Sequence, residues 1–125
     1  MNARILLVED EVLIALQVAE ALEEEGFEVV GPCQTVAQAM RQLGVVDCCD
    51  AAVLDANLRN ESALPVADAL VALAIPFVVT TGYDRNQLHG ELAAAPLLSK
   101  PMRTDDLIHE LKRQLAGGAK PAQQG

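Results

Sequence analysis

The sequence predicts an α/β fold, a doubly wound parallel sheet with helices on both of its faces. Three observations carry that expectation. Short apolar runs alternate with helix-patterned runs five times along the 125 residues. The apolar runs are built from Val, Leu, Ile and Ala, the composition of strands buried on both sides. Aromatic residues are few, only Phe27, Phe77 and Tyr83, so the core must be aliphatic.

The elements follow in order. Arg4 to Val8 reads as a first buried strand. Glu11 to Glu25 is helical and Gly26 closes it, since glycine tolerates the left-handed conformation that ends many helices. Phe27 to Gly31 is a second strand. Thr35 opens a helix to about Leu43, with Gln38 as its capping-box partner. Ala51 to Leu54 is a third strand, and Asp55 to Ser62 a polar loop. Pro65 suits the first turn of a helix ending near Ala74. Pro76 to Thr80 is a fourth strand, mostly β-branched. Asp84 caps a weak helix through about Ala94, Leu97 to Ser99 is a fifth strand, and Thr104 caps a last helix to Leu115. Residues 1–116 form one domain, and 117–125 (GGAKPAQQG) a polar, disordered tail that cannot bury a core.

Composition narrows the function. About half the chain is apolar and the net charge is −9. An acidic surface cannot displace the counterions of a nucleic acid and is repelled by anionic membranes, so neither is a partner. No apolar run reaches membrane-spanning length, and no signal-peptide pattern precedes the first strand. Cys33, Cys48 and Cys49 read as reduced, buried thiols of a cytoplasmic protein. His89 and His109 are isolated and read as solvated or capping residues.

In doubly wound sheets chemistry gathers outside the carboxyl ends of the strands. Glu9 and Asp10 follow the first strand, Asp55 ends the third, Thr80, Thr81 and Gly82 end the fourth, and Lys100 and Pro101 follow the fifth. With strand order 2-1-3-4-5, the flavodoxin-like order, the first and third strands are neighbours and the three carboxylates converge. Their mutual repulsion calls for a hard cation, and Mg2+ suits an all-oxygen donor set. Lys100 adds a point charge and Thr81 a hydroxyl donor. A carboxylate nucleophile, a metal, a cation and a hydroxyl aimed at one spot make a phosphoryl-transfer site.

The segments ILLVEDE, AVLDANL, VVTTGY and LLSKP resemble the receiver domains of response regulators over about residues 3 to 116. The resemblance implies a flavodoxin-like (βα)5 fold and a two-component phosphorelay. It makes Asp55 the phosphoacceptor and Asp10 a direct magnesium ligand, with Glu9 acting through water and Asn57 through its backbone carbonyl. Thr81 matches the family's hydroxyl residue and Lys100 its lysine, with Pro101 following through a bond that is typically cis. Two positions depart from the common pattern: Asn57-Leu58 replaces Met-Pro, and Leu97 replaces the aromatic switch residue of the fifth strand. PFVVTTGY, Pro76 to Tyr83, resembles the PFxFATGY signature of the FAT GUY response regulators, mostly single-domain proteins of alphaproteobacteria. Val79 and Thr80 stand where that signature has Phe and Ala.

With no effector domain in view, output is expected through protein contact, or the chain serves as a phosphate shuttle or sink rather than as a metabolic enzyme. Tyr83, two residues past Thr81, is the candidate switch and marks the output-binding surface. The first helix is too apolar for one buried stripe, which is only somewhat over 100° wide. Leu13 and Ile14 are therefore candidates for docking a helical partner, and the receiver resemblance implies that this partner is a sensor histidine kinase or histidine phosphotransferase. An aspartyl-phosphate hydrolase is disfavoured, because Asn57 stands where such enzymes carry a second Asp as general acid.

Overall fold

The structure is a computed structural model that describes residues 2–82 and 85–118. Twelve regular elements follow one another: β1 (Arg4–Val8), α1 (Val12–Glu24), β2 (Glu28–Cys33), α2 (Val36–Leu43), β3 (Ala51–Asp55), β4 (Asn57–Leu58), β5 (Glu61–Ser62), α3 (Leu64–Ala72), β6 (Phe77–Thr81), α4 (Gly90–Ala94), β7 (Leu97–Ser99) and α5 (Thr104–Arg113). Five strands form one parallel sheet in the order β2-β1-β3-β6-β7. This is the predicted order, with β4 and β5 set aside as a small antiparallel hairpin.

Side chains alternate across each strand, so the sheet has two apolar faces. Ile5, Leu7, Val53 and Val78 meet Val18 and Leu22 of α1 and Leu107 and Leu111 of α5. Leu6, Val8, Leu54 and Val79 meet Ala39 and Leu43 of α2, Val66 and Leu70 of α3, and Leu92 of α4. Both faces are buried, and for that reason the strands are continuous apolar runs.

Local signals held at several boundaries. Thr35 caps α2, its Oγ1 accepting the Gln38 N–H at 3.1 Å, while Gln38 Oε1 reaches the Gln34 N–H at 2.7 Å. Gly26 takes φ +93 just past α1, and Pro65 sits in the first turn of α3. Cys33 and Cys48 are buried, Cys49 is half-buried, and all three thiols are free. Burial, with Cys48 beside it, pushes the Cys49 thiol up to about 12.

Four expectations change. β2 runs two residues beyond Gly31 because a bulge lets the edge strand absorb Gly31-Pro32 opposite Leu7. α5 starts at Thr104 with Arg103 as its N-cap and no capping side chain; Asp105 and Asp106 in the first turn complement its dipole instead. The polar loop after Asp55 contains the β4–β5 hairpin. The fourth helix shrinks to Gly90–Ala94 after a 3₁₀ turn at Arg85–Gln87, because His89 is extended and Gly90 takes φ +58. The expected cap Asp84 lies outside the described residues, as do Ala119 to Gly125 of the tail.

Candidate functional site

The parallel sheet brings the ends of β1, β3, β6 and β7 to one edge. Glu9 and Asp10 leave β1, Asp55 is the last residue of β3, Thr81 the last of β6, and Lys100 follows β7. Carboxylate oxygens of Glu9, Asp10 and Asp55 lie within 4.8 Å of one another. Glu9, Asp55 and Thr81 are almost completely buried, and Asp10 is half-buried.

Lys100 ties the cluster together. Its Nζ lies 3.1 Å from Asp55 Oδ2 and 3.1 Å from Glu9 Oε1. Its own N–H donates to the Thr81 carbonyl at 2.8 Å, which sets the lysine beside the end of β6. The Lys100–Pro101 bond is cis, as the resemblance implied. Glu9 is held from below: its N–H donates to the Cys33 carbonyl at 2.9 Å, and its Oε2 accepts the Glu11 N–H at 3.0 Å. The Asn57 N–H donates to Asp55 Oδ1 at 3.3 Å.

The electrostatics follow from this packing. Burial, then the neighbouring Glu9, pushes the Asp55 carboxyl up to about 7 against the pull of Lys100. Partial burial also works against the Asp10 carboxylate, but the N–H of Arg59 and the flanking acids outweigh it and hold its pKa below the usual value. Burial opposes the Lys100 ammonium as well, yet Asp55 and Glu9 more than compensate and keep it charged. One ammonium thus pairs with two of the three clustered carboxylates, and Asp10, Asp55 and Lys100 line an open cleft of about 540 Å³. An all-oxygen donor set with surplus negative charge and room for water fits a hard divalent cation such as Mg2+.

The cleft wall holds a feature that reading the sequence missed. The hairpin β4–β5 turns through Arg59 and Asn60, both left-handed at φ +52 and +66. Leu58 is fully buried and pins the hairpin to the core. The Arg59 N–H donates to Asp10 Oδ2 at 3.0 Å, and its Nη2 donates to Gln34 Oε1 at 3.1 Å. Asn60 was the available signal, but such turns are usually announced by Asn-Gly or Asp-Gly.

Leu13 and Ile14 do not share one environment. Leu13 is 76 % exposed, with Val12 and Leu16 also largely exposed, whereas Ile14 packs partly against the α1–α5 core. The exposed stripe of α1 is therefore Val12, Leu13 and Leu16. Leu97 packs partly against the opposite core face. Tyr83, the candidate switch, lies outside the described residues. Among the described residues no helix is long and apolar enough to cross a membrane. A separate, mostly apolar cavity of about 360 Å³, lined by Ile75, Phe77 and Pro96 with Glu91 at its wall, lies at the amino ends of β6 and β7, away from Glu9, Asp10 and Asp55.

Solved structures place this architecture in a class. The chain superposes with a TM-score of 0.81, at 23% identity and over all of both chains, on a CheY-like response regulator receiver domain protein from Methanospirillum hungatei. It matches SdrG from Sphingomonas melonis at 39% identity and a TM-score of 0.75, over 89% of this chain and 94% of that one. The receiver domain of the sensor histidine kinase PA1611 from Pseudomonas aeruginosa, described with magnesium coordinated in its active-site cleft, gives a TM-score of 0.75 at 22% identity over 93% and 99% of the two chains. The class is that of CheY-like receiver folds.

The family follows directly. Residues 5–112 match the model of the response regulator receiver domain, and the chain belongs to that family. The transcriptional regulatory protein PdtaR of Mycobacterium tuberculosis is 31% identical over 109 residues, 84% of this chain and 53% of that protein. The chain thus spans about half the length of the curated relatives it matches. It is a receiver domain of two-component signalling, a family of phosphoacceptors rather than metabolic enzymes.

Proposed function

We propose that Asp55 accepts a phosphoryl group from the phosphohistidine of a sensor histidine kinase or histidine phosphotransferase, and that the chain signals in its acyl-phosphate form. The observation that carries this is the contact of Lys100 Nζ with Asp55 Oδ2 at 3.1 Å, made at the end of β3 among Glu9 and Asp10. The ammonium sits on Oδ2, which leaves Oδ1, approached by the Asn57 N–H at 3.3 Å, for attack, and the same ammonium stabilises charge on the incoming phosphoryl oxygens.

In this reading Asp10, Asp55 and the Asn57 carbonyl hold Mg2+, with Glu9 acting through water. The ion supplies charge neutralisation for phosphoryl oxygens. Thr81 gives its hydroxyl to the phosphoryl group, a charge-assisted hydrogen bond stronger than a neutral one. Tyr83 then reorients with that segment and alters the surface offered to an output protein. The exposed stripe Val12, Leu13 and Leu16 of α1 receives the helices of the phosphodonor. The chain acts in the cytoplasm through protein contact or as a phosphate shuttle or sink.

Intact-mass measurement after incubation with acetyl phosphate and magnesium tests the core of this reading. One phosphoryl adduct is expected on the wild type and none on Asp55→Asn. An adduct of equal yield on the variant overturns the assignment.

A further inference from the structure

We propose that Arg59 binds the phosphoryl donor, its guanidinium leaving Gln34 to pair with the phosphoryl oxygens over Asp55. This rests on Asp55 being the acceptor and adds the residue that recognises the incoming group.

The site has an electrostatic difficulty. A phosphoryl donor is an anion, and it must approach three clustered carboxylates. Lys100 already carries two ion pairs, with Glu9 and Asp55. The other cation lining the cleft among the described residues is Arg59. Its guanidinium is not spent on a carboxylate in any ion pair of the described residues. It donates instead to a neutral amide, Gln34 Oε1, at 3.1 Å. An amide acceptor is a weaker partner than a phosphoryl oxygen, and the planar fork of arginine suits two oxygens at once. Exchanging one for the other is favourable when a donor arrives.

The backbone supports the same assignment. Arg59 holds a left-handed conformation that its side chain does not favour, at φ +52, directly followed by Asn60 at φ +66. Glycine would fill this turn at less cost. The conformation puts the Arg59 N–H on Asp10 at 3.0 Å, so the residue is anchored to one of the acids while its side chain stays on the cleft wall. Leu58, buried beside it, keeps the anchor from swinging. Backbone strain held in place by its surroundings points to function.

The ligand class is a phosphoryl anion on a good leaving group, an acyl phosphate or a phosphohistidine. An Asp55 oxygen forms the new O–P bond. The donor's P–O bond breaks with its electron pair leaving on acetate, or its P–N bond breaks with the pair remaining on the imidazole nitrogen. Arg59 exchanges no proton in either case.

The test uses the full chain with magnesium and measures phosphorylation rate against acetyl phosphate concentration. Arg59→Gly is the informative variant, since it deletes the guanidinium, keeps the N–H on Asp10 and suits the left-handed turn. The half-saturating donor concentration should rise roughly tenfold or more, the loss of one charge-assisted hydrogen bond, while the limiting rate falls much less. Arg59→Lys should recover part of the loss. Gln34→Ala should lower half-saturation in the wild type and do nothing in Arg59→Gly. In the metal-free protein the Asp10 side-chain 13C resonance should be the same in wild type and Arg59→Gly. In the magnesium-loaded wild type, the Arg59 Nε and Gln34 amide signals should move together on adding beryllofluoride.

Unchanged half-saturation in Arg59→Gly overturns the proposal, as does a Gln34→Ala effect that is equal in both backgrounds. A shifted Asp10 resonance overturns it too, by assigning the loss to a displaced carboxylate. A defect seen with a phosphotransferase protein but not with acetyl phosphate assigns Arg59 to partner contact and also overturns it. If the wild type gains no adduct on Asp55, the acceptor reading itself falls; an adduct with normal Arg59→Gly kinetics removes Arg59 alone.

Discussion

Asp55→Asn should make the metal-free protein more stable, and by an amount that depends on pH. The Asp55 carboxyl is raised from 3.8 to about 7 by burial and by Glu9. A native pKa above the unfolded value means the native state holds an extra proton between those two pH values. Stability from this group is therefore fully present below pH 3.8 and is lost as pH rises through 7. At about 1.4 kcal/mol per pH unit, the ionised group destabilises the fold by about 4 kcal/mol at pH 8. Asparagine mimics the neutral acid and escapes that cost. Lys100 loses one partner in the variant but keeps Glu9 at 3.1 Å, so part of the gain is returned. The expected net gain is about 2–4 kcal/mol at pH 8 and under about 1 kcal/mol at pH 4. Urea unfolding followed by far-UV circular dichroism in the presence of a chelator measures it; with no Trp in the chain, fluorescence is a poor reporter. Magnesium should shrink the difference, because a ligand that binds only the native wild type stabilises it. A variant that is no more stable than wild type at pH 8, or whose gain is the same at both pH values, refutes the reasoning.

Two further substitutions probe the scaffold. Thr80 Oγ1 is buried without a hydrogen-bond partner among the described residues, and Thr80 is 1% exposed. Thr80→Val keeps the shape and removes the orphaned hydroxyl, so it should stabilise the fold by about 1–2 kcal/mol in the same urea assay. Gly31 takes φ +102, and a Cβ there would lie 2.7 Å from the Cys33 nitrogen and 2.9 Å from the Leu7 carbonyl oxygen. Gly31→Ala should cost about 2–4 kcal/mol, read as a lowered denaturation midpoint; a loss below about 0.5 kcal/mol would show that the bulge relaxes freely.

What could be read in the sequence, and what could not, divides along the range of the forces involved. The five long strands were legible because burial on both faces leaves an unbroken apolar run, as in Ile5 to Val8 and Ala51 to Leu54. Once the strand order was taken, the meeting of Glu9, Asp10, Asp55 and Lys100 followed from topology alone, since every parallel strand ends at the same edge. The bulge in β2 was not legible: Gly31-Pro32 reads as a stop, and only its place on the sheet edge lets the strand continue. The split within α1 was half legible. Helical spacing shows that Ile14 and Leu16 cannot share a stripe, but the sheet and α5 decide that Ile14 is the one drawn inward.

The hairpin at Arg59 marks the limit more sharply. Two-residue strands have no periodicity to detect, and neither Arg59 nor Asn60 is the glycine that would announce such a turn. Its geometry depends on the neighbouring Leu58 seated in the core and on two contacts from far along the chain: Asp10 on the Arg59 N–H and Gln34 on the guanidinium. A local turn that contradicts local preference, held by two distant partners and an adjacent core anchor, is where function can be added without altering the pattern that makes the fold. Here the contradiction falls on the wall of the acidic cleft, at a residue carrying the charge that the cleft lacks.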